Sequence, residues 1–346
     1  MNNQHEVKLK QKLLNASGNI AEAGYAKTFV WQYDRKDIKA SKSLIKEWDY
    51  YYIGNDDYAL CVTLADMGYI GAFSASVIDF KNAWQITKSN VILFPMGKLK
   101  MPSSTEVGGV SYNKNGFKVT FENDGTARRV LGVYPKFGNK KEDLIFDVTL
   151  TDNPKESMVI ATPFLKKGRF YLNQKINCLN AEGSFSLGEN GFRFSKENNS
   201  LATLDWGRGV WTYDNTWYWG SLQTVLDNGK KFGFNIGYGF GVNKSTENML
   251  FYDGLSHKLD EITFNIPKKN GKDDYMSPWT FTSNDKRFEM DFKPIIDRYA
   301  PVNLGFFAML PHQVFGLFSG KAVLDNGEVI ELKDVLGFAE KVRNKW

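Results

Sequence analysis

Two-residue turns punctuate this chain almost throughout its second two-thirds. Asn115-Gly116, Asp124-Gly125, Asn190-Gly191, Asn228-Gly229, Asp253-Gly254, Asn270-Gly271 and Asn326-Gly327 are pairs that tight β-hairpins favour, because their central positions take positive φ. Several are flanked by residues that alternate with period two. Phe117, Val119 and Phe121 alternate with Lys118 and Thr120; Leu60, Val62 and Leu64 alternate with Ala59, Cys61 and Thr63. Short strands at spacings of about 8–12 residues, separated by such turns, predict an all-β sandwich or barrel. Helical signals are few. Residues 5–14 and Pro294 to Ala300 could each hold a short helix. The clearest signal is C-terminal, where Leu332, Val335, Leu336, Ala339 and Val342 recur at helical spacing.

At 346 residues the chain exceeds the size at which a single core usually stops growing, about 250–300 residues, so two domains are expected. The polar stretch Lys196-Glu197-Asn198-Asn199-Ser200 is the best boundary, giving units 1–200 and 201–346. The net charge of +5 is dispersed and forms no basic stripe, so nucleic acid is not expected as a partner. No apolar run approaches the roughly 18 residues of a membrane span. The first residues carry no apolar signal core, which reads as a cytoplasmic protein. Cys61 and Cys178 are too few for a disulfide framework. His5, His257 and His312 lack metal-ligand spacing, and no cofactor is expected. Gly237-Tyr238-Gly239-Phe240-Gly241 lacks the third glycine and the following helix of a dinucleotide loop.

The unusual figure is the aromatic content of 15%, and it is concentrated after residue 200. Trp206, Trp211, Trp217 and Trp219 fall within 14 residues, with Trp217, Trp219 and Ser221 on one face of a strand. They are either barrel core or the lining of a pocket whose polar neighbours satisfy the indole N–H groups. In Phe232–Gly241 one face is aromatic. The other is reduced to Gly233, Asn235, Gly237, Gly239 and Gly241, which requires either close packing onto bare backbone or a ligand. Asn235 is the one polar side chain on that face. Asp205 and Arg208 interrupt an aromatic run and are expected to pair if a bulge at Gly207 brings them to one side. Glu247, Asn248, His257 and Lys258 add polar groups nearby.

Asp205-Trp206-Gly207-Arg208-Gly209-Val210-Trp211, Trp217-Tyr218-Trp219-Gly220, Thr246-Glu247-Asn248, Asp253-Gly254 and His257-Lys258 together resemble the domain of unknown function 2804 family. Trp48-Asp49-Tyr50, Ala65-Asp66 and Tyr69 resemble its beginning. His312–Gly316, Gly337-Phe338-Ala339-Glu340 and Trp346 resemble its ending. More remotely, Asp205 and the following Trp-Gly text resemble the Asp-His-x-Trp-Gly motif of the carotenoid 1,2-hydratase and AttH-like group. Here Trp206 stands where that motif has His, and Arg208 enters it.

The remote resemblance implies two lipocalin-like, calycin-type antiparallel β-barrels or half-barrels in tandem, with few short helices including a C-terminal one. Barrels of this kind hold one small ligand. The first expectation is therefore a pocket for an apolar small molecule such as a lipid, isoprenoid or polyketide. Trp206, Arg208, Trp217, Trp219, Asn235, Glu247, Asn248, His257 and Lys258 are its candidate binding residues. A second is a hydratase, isomerase or cyclase acting on a C=C bond with Asp205 as general acid. A third is a glycan-binding or glycan-processing β-sandwich, for which Asp205 and Glu247 would be the carboxylate pair to test.

Overall fold

The structure, a computed structural model, describes residues 4–242, 245–303 and 307–346. The hairpin code is realised directly. Asn115 and Gly116 (φ 54° and 85°) join Gly108–Lys114 to Phe117–Asn123. Asp253 and Gly254 (φ 51° and 80°) join Met249–Tyr252 to Leu255–Lys258.

The chain is all-β, built as two curled antiparallel half-barrels. Among the described residues its helical turns are the short 3-10 segments Arg35–Asp37, Lys42–Leu44 and Lys196–Asn198. The main path of the first sheet runs Trp84–Leu93, Ile70–Asp79, Tyr58–Asp66, Ile45–Gly54, Leu201–Val210, Phe170–Leu187, Leu144–Thr151, Arg128–Tyr134, Phe117–Asn123 and Gly108–Lys114. The second runs Leu255–Lys258, Met249–Tyr252, Lys231–Tyr238, Asp214–Val225, Val329–Lys345, Ala308–Val323, Phe288–Tyr299, Trp279–Ser283 and Ile262–Asn265. The Leu201–Val210 strand is thus central to the first sheet, paired with Ile45–Gly54 and Phe170–Leu187. We therefore place the division between Val210 and Asp214 rather than at residue 200.

Each sheet curls around its own core, the first on Phe73, Phe121, Phe146 and Trp206, the second on Phe234, Phe281, Phe292 and Phe318. The convex faces then pack on each other: Tyr50, Tyr52 and Phe80 of the first meet Trp219, Phe315 and Phe338 of the second. Central strands are consequently buried on both faces. Every residue of Leu201–Val210 is buried, and its period-two signal disappears for that reason.

The three helical expectations fail. Residues 5–14 hold the two-residue strand Gln11–Lys12, paired in parallel with Trp31–Gln32, and isolated β-bridges at Glu6 and Leu14. Pro294 lies inside the strand Phe288–Tyr299, at a register shift before Ile296, a place where a proline's missing N–H is tolerated. The expected C-terminal helix is the strand Val329–Lys345. Ile330 and Leu332 face the second core. A bulge follows, with Asp334 at φ 52° and a register shift opposite Phe318 to Gly320. After it the parity reverses: Val335 and Ala339 face the core while Leu336 and Phe338 face the other sheet. One extra residue plus two-sided burial imitates a 3.6-residue period.

Valine is β-branched and disfavours positive φ, so Asp334→Val is expected to destabilise the chain by about 1–3 kcal/mol. Glu331→Val, on the exposed face of the same strand, is expected to be near neutral. Urea melts of the two variants check this; equal midpoints would contradict the bulge.

Candidate ligand cavity between the two sheets

A cavity of about 180 Å³ lies where the convex faces meet. Its walls include Trp48, Trp211, Trp217, Trp219 and Trp346, with Tyr50, Tyr171 and Phe240. The rings brace one another: Trp211 lies 5.3 Å from Trp217 and 5.8 Å from Trp346, centroid to centroid. Gly207 explains how one indole is seated. It pairs with Trp48 across the ladder, and a Cβ there would run into the Trp48 ring. The bare glycine lets the indole lie over the strand and aim its N–H at Asp205, 3.1 Å away.

Asp205 is the polar anchor of the first-sheet wall. Lys175 stands directly opposite it in the ladder, and the Lys175 ammonium reaches its carboxylate at 2.8 Å. Asn173 donates to the same oxygen at 2.6 Å. The ammonium also lies 3.8 Å from the centre of the Trp219 ring, a cation–π contact that spans the two sheets. The expected bulge at Gly207 is absent. The ladder is regular from Leu201 to Val210 on the Ile45–Gly54 side, so residues three apart face opposite ways. Arg208 therefore points into the first half-barrel. There it pairs with Asp49 at 2.9 Å, bonds the Pro102 carbonyl and lies over the Trp206 ring at 4.0 Å.

Glu340 supplies a carboxyl to the second-sheet wall, which also carries Arg298, Gln313 and Asn344. Trp217 donates its indole N–H to one carboxyl oxygen at 3.1 Å and Gln313 its amide to the other at 2.9 Å. Burial raises this carboxyl to about 7, against the opposing pull of the Trp217 hydrogen bond and of the Arg298 and Lys175 charges.

Of the residues singled out from sequence, Asp205, Trp217 and Trp219 line the cavity. Trp206 and Arg208 belong to the first half-barrel's interior. Asn235 sits behind Trp219, accepting its indole N–H at 2.6 Å and donating to the Glu247 carbonyl at 3.0 Å. The glycine face is covered by protein: a Cβ at Gly233 would meet the Cys178 sulfur, and one at Gly237 the Phe240 ring. Glu247 is buried close by, its carboxyl pushed up by burial and drawn back by Lys175. Asn248 accepts from the Gly237 N–H and donates to the Asp260 carbonyl. The Lys258 ammonium is spent on Thr246, Asn248 and Leu259, and burial lowers it to about 7. His257 accepts the Asp325 N–H near the protein surface.

Sequence reasoning missed Lys175, Arg298, Gln313, Glu340 and Asn344 as wall residues. Their signal was faint: single polar residues inside apolar strands, with Glu340, Val342, Asn344 and Trp346 alternating along one face. Among the described residues no cluster of His, Cys, Asp or Glu has the makings of a metal site. None of the described helices is long and apolar enough to cross a membrane.

The model of a family described as "Domain of unknown function (DUF2804)" matches residues 4–346. No curated protein matches the chain in sequence. Three solved structures share the fold at low identity. A putative AttH from Nitrosomonas europaea is 11% identical, with TM-score 0.54 over 89% of this chain and 96% of that one. CghA, solved with Sch210972, is 10% identical with TM-score 0.56 over 97% of each chain. Kievitone hydratase from Nectria haematococca is 12% identical with TM-score 0.50 over 98% of each.

Removing one partner of a buried ion pair strands the other, so Asp205→Ala is expected to cost roughly 3–5 kcal/mol in denaturant melts. Asp205→Ala combined with Lys175→Met is expected to recover most of that loss, whereas Arg208→Met in place of Lys175→Met is expected to recover none. Recovery by the Arg208 change would contradict the pairing seen here.

Glu340 gives a signed pH effect. The folded chain keeps a proton between about 4.5 and about 7 that the unfolded chain releases, so stability falls as pH rises through that window. Relative to Glu340→Gln, the parent is expected to lose about 3 kcal/mol between pH 4.5 and 8. Parallel stability curves for the two proteins would contradict the raised carboxyl.

Proposed function

The chain belongs to the DUF2804 family, and from that premise we propose that it binds an apolar small molecule in the cavity between its two half-barrels. The observation that carries this reading is the wall of five indoles around about 180 Å³. An apolar cavity of about 150 Å³ can hold a benzene ring, and complete sites for drug-sized ligands run to about 300–1,000 Å³. The space therefore suits one or two rings, or the end of a longer lipid, isoprenoid or polyketide. Trp211 and Trp219 are only 3% and 4% exposed. Enclosed rings of this kind suit a small-molecule pocket better than the open stacking platform that a glycan needs.

A second reading is favoured by Glu340: this cavity also performs proton chemistry on a C=C bond, as a hydratase, isomerase or cyclase. Asp205 is surrounded by the donors Lys175, Asn173 and Trp48, which suits a fixed anchor more than a proton donor. Glu340 is the carboxyl that holds a proton near neutrality, within the same aromatic wall. In a hydration, Glu340 would give its proton to one alkene carbon. Water would add to the cationic neighbour and return a proton to the carboxylate. The Gln313 carbonyl oxygen has no hydrogen-bond partner, so turning that amide would offer an acceptor to protonated Glu340.

Native mass spectrometry of freshly purified protein, followed by solvent extraction, tests the binding reading. A bound apolar compound that extraction removes is expected, together with quenching of tryptophan fluorescence when farnesol is added to the extracted protein. Trp217→Ala is expected to weaken that quenching about tenfold. Protein that carries nothing and does not respond to farnesol or 2-methylnaphthalene would overturn the reading. If a turnover is found with the extracted ligand, its rate is expected to fall as pH rises through about 7 and to vanish in Glu340→Gln with binding retained.

A further inference from the structure

The cavity has a second polar end that neither the anchor nor the proton-holding carboxyl accounts for. Glu340, Val342, Asn344 and Trp346 share one face of the C-terminal strand region. At about 3.3 Å per residue, Asn344 lies roughly 13 Å along the strand from Glu340. Asn344 is 1% exposed, lines the cavity, and has no hydrogen-bond partner for either its amide nitrogen or its amide oxygen. The side chains of Trp211 and Trp346 line the same cavity, and their indole nitrogens are likewise buried without partners, that of Trp211 against Gly209. An unpaired buried polar group is costly, and this strand carries one intact carboxamide in that state beside two indoles.

We infer that Asn344, with the indole N–H group of its strand neighbour Trp346, forms a recognition subsite for a neutral carboxamide-like head group on an otherwise apolar ligand. The inference rests on the cavity being a ligand site and specifies the chemistry of its occupant. A head group with an acceptor and a donor on one carbon satisfies the whole set. Its carbonyl oxygen takes the Asn344 amide and the Trp346 indole N–H, and its N–H meets the Asn344 oxygen. An anionic head group fits less well, because one of its oxygens would face the Asn344 carbonyl. With the head group held there, the apolar body lies past Val342 and Trp217, toward Glu340 and Lys175.

Two probes of nearly equal size separate this inference from the reading beneath it: 2-naphthamide and 2-methylnaphthalene, titrated against the extracted full chain by tryptophan fluorescence. The parent is expected to bind 2-naphthamide on the order of tenfold more tightly. Asn344→Leu is expected to erase that preference while still binding 2-methylnaphthalene. It is also expected to melt no lower than the parent, since it removes an unpaired amide. Trp346→Phe, which keeps the ring and deletes the N–H, is expected to reduce the preference partly. Equal affinity of the parent for both probes, or a preference unchanged in Asn344→Leu, would overturn the subsite and leave the cavity reading standing. Binding of neither probe would overturn the subsite, and if the protein also carries nothing and does not respond to farnesol, the cavity reading falls with it.

Discussion

The central strands of this protein must bury both faces, and most of the molecule follows from that constraint. One face closes a half-barrel core and the other packs against the second sheet. A polar side chain on either face is therefore removed from water and needs a partner. On the inner face of the first sheet this gives Arg208 with Asp49; on its outer face it gives Lys175 with Asp205. The same constraint fixes Gly207, because an indole can lie across the strand only where there is no Cβ.

Packing two convex, twisted sheets leaves space where their curvatures diverge, and the large rings in the chain collect there. Rigid indoles in edge contact do not collapse to fill the gap. The result is a cavity whose walls are mostly apolar, with polar groups at separated points: the Lys175–Asp205 pair, Glu340 with Trp217, Gln313 and the Arg298 charge, and Asn344. Bulges set this arrangement. The one before Leu179, beside Cys178 at φ 65°, turns Asn177 toward Ser221 of the second sheet, and the one at Asp334 brings Glu340 and Asn344 to the cavity face.

Much of this was legible in the sequence. The Asn-Gly and Asp-Gly pairs specify hairpins through local backbone conformation, so they survive any tertiary context. The clustering of Trp211, Trp217 and Trp219 pointed to residues that wall the cavity. What could not be read is where the ladder shifts by one residue. A bulge assumed at Gly207 joined Asp205 to Arg208, whereas the regular ladder sends them to opposite faces. The unassumed bulge at Asp334 made a strand read as a helix. Lys175 and Glu340 come from strands far from Trp219 in sequence; Lys175 meets it only through packing of the two sheets and Glu340 through ladder pairing. No local pattern marks them.

The central claim is that the space between the sheets is an apolar cavity open to a ligand. Its most direct test is a crystal of the extracted protein pressurised with xenon, which enters dry apolar cavities of this size. A xenon peak among Trp48, Trp217 and Val342, with the Lys175–Asp205 pair intact beside it, is the expected result. Sheets packed together with the indoles collapsed into that space, and no xenon between them, would contradict it.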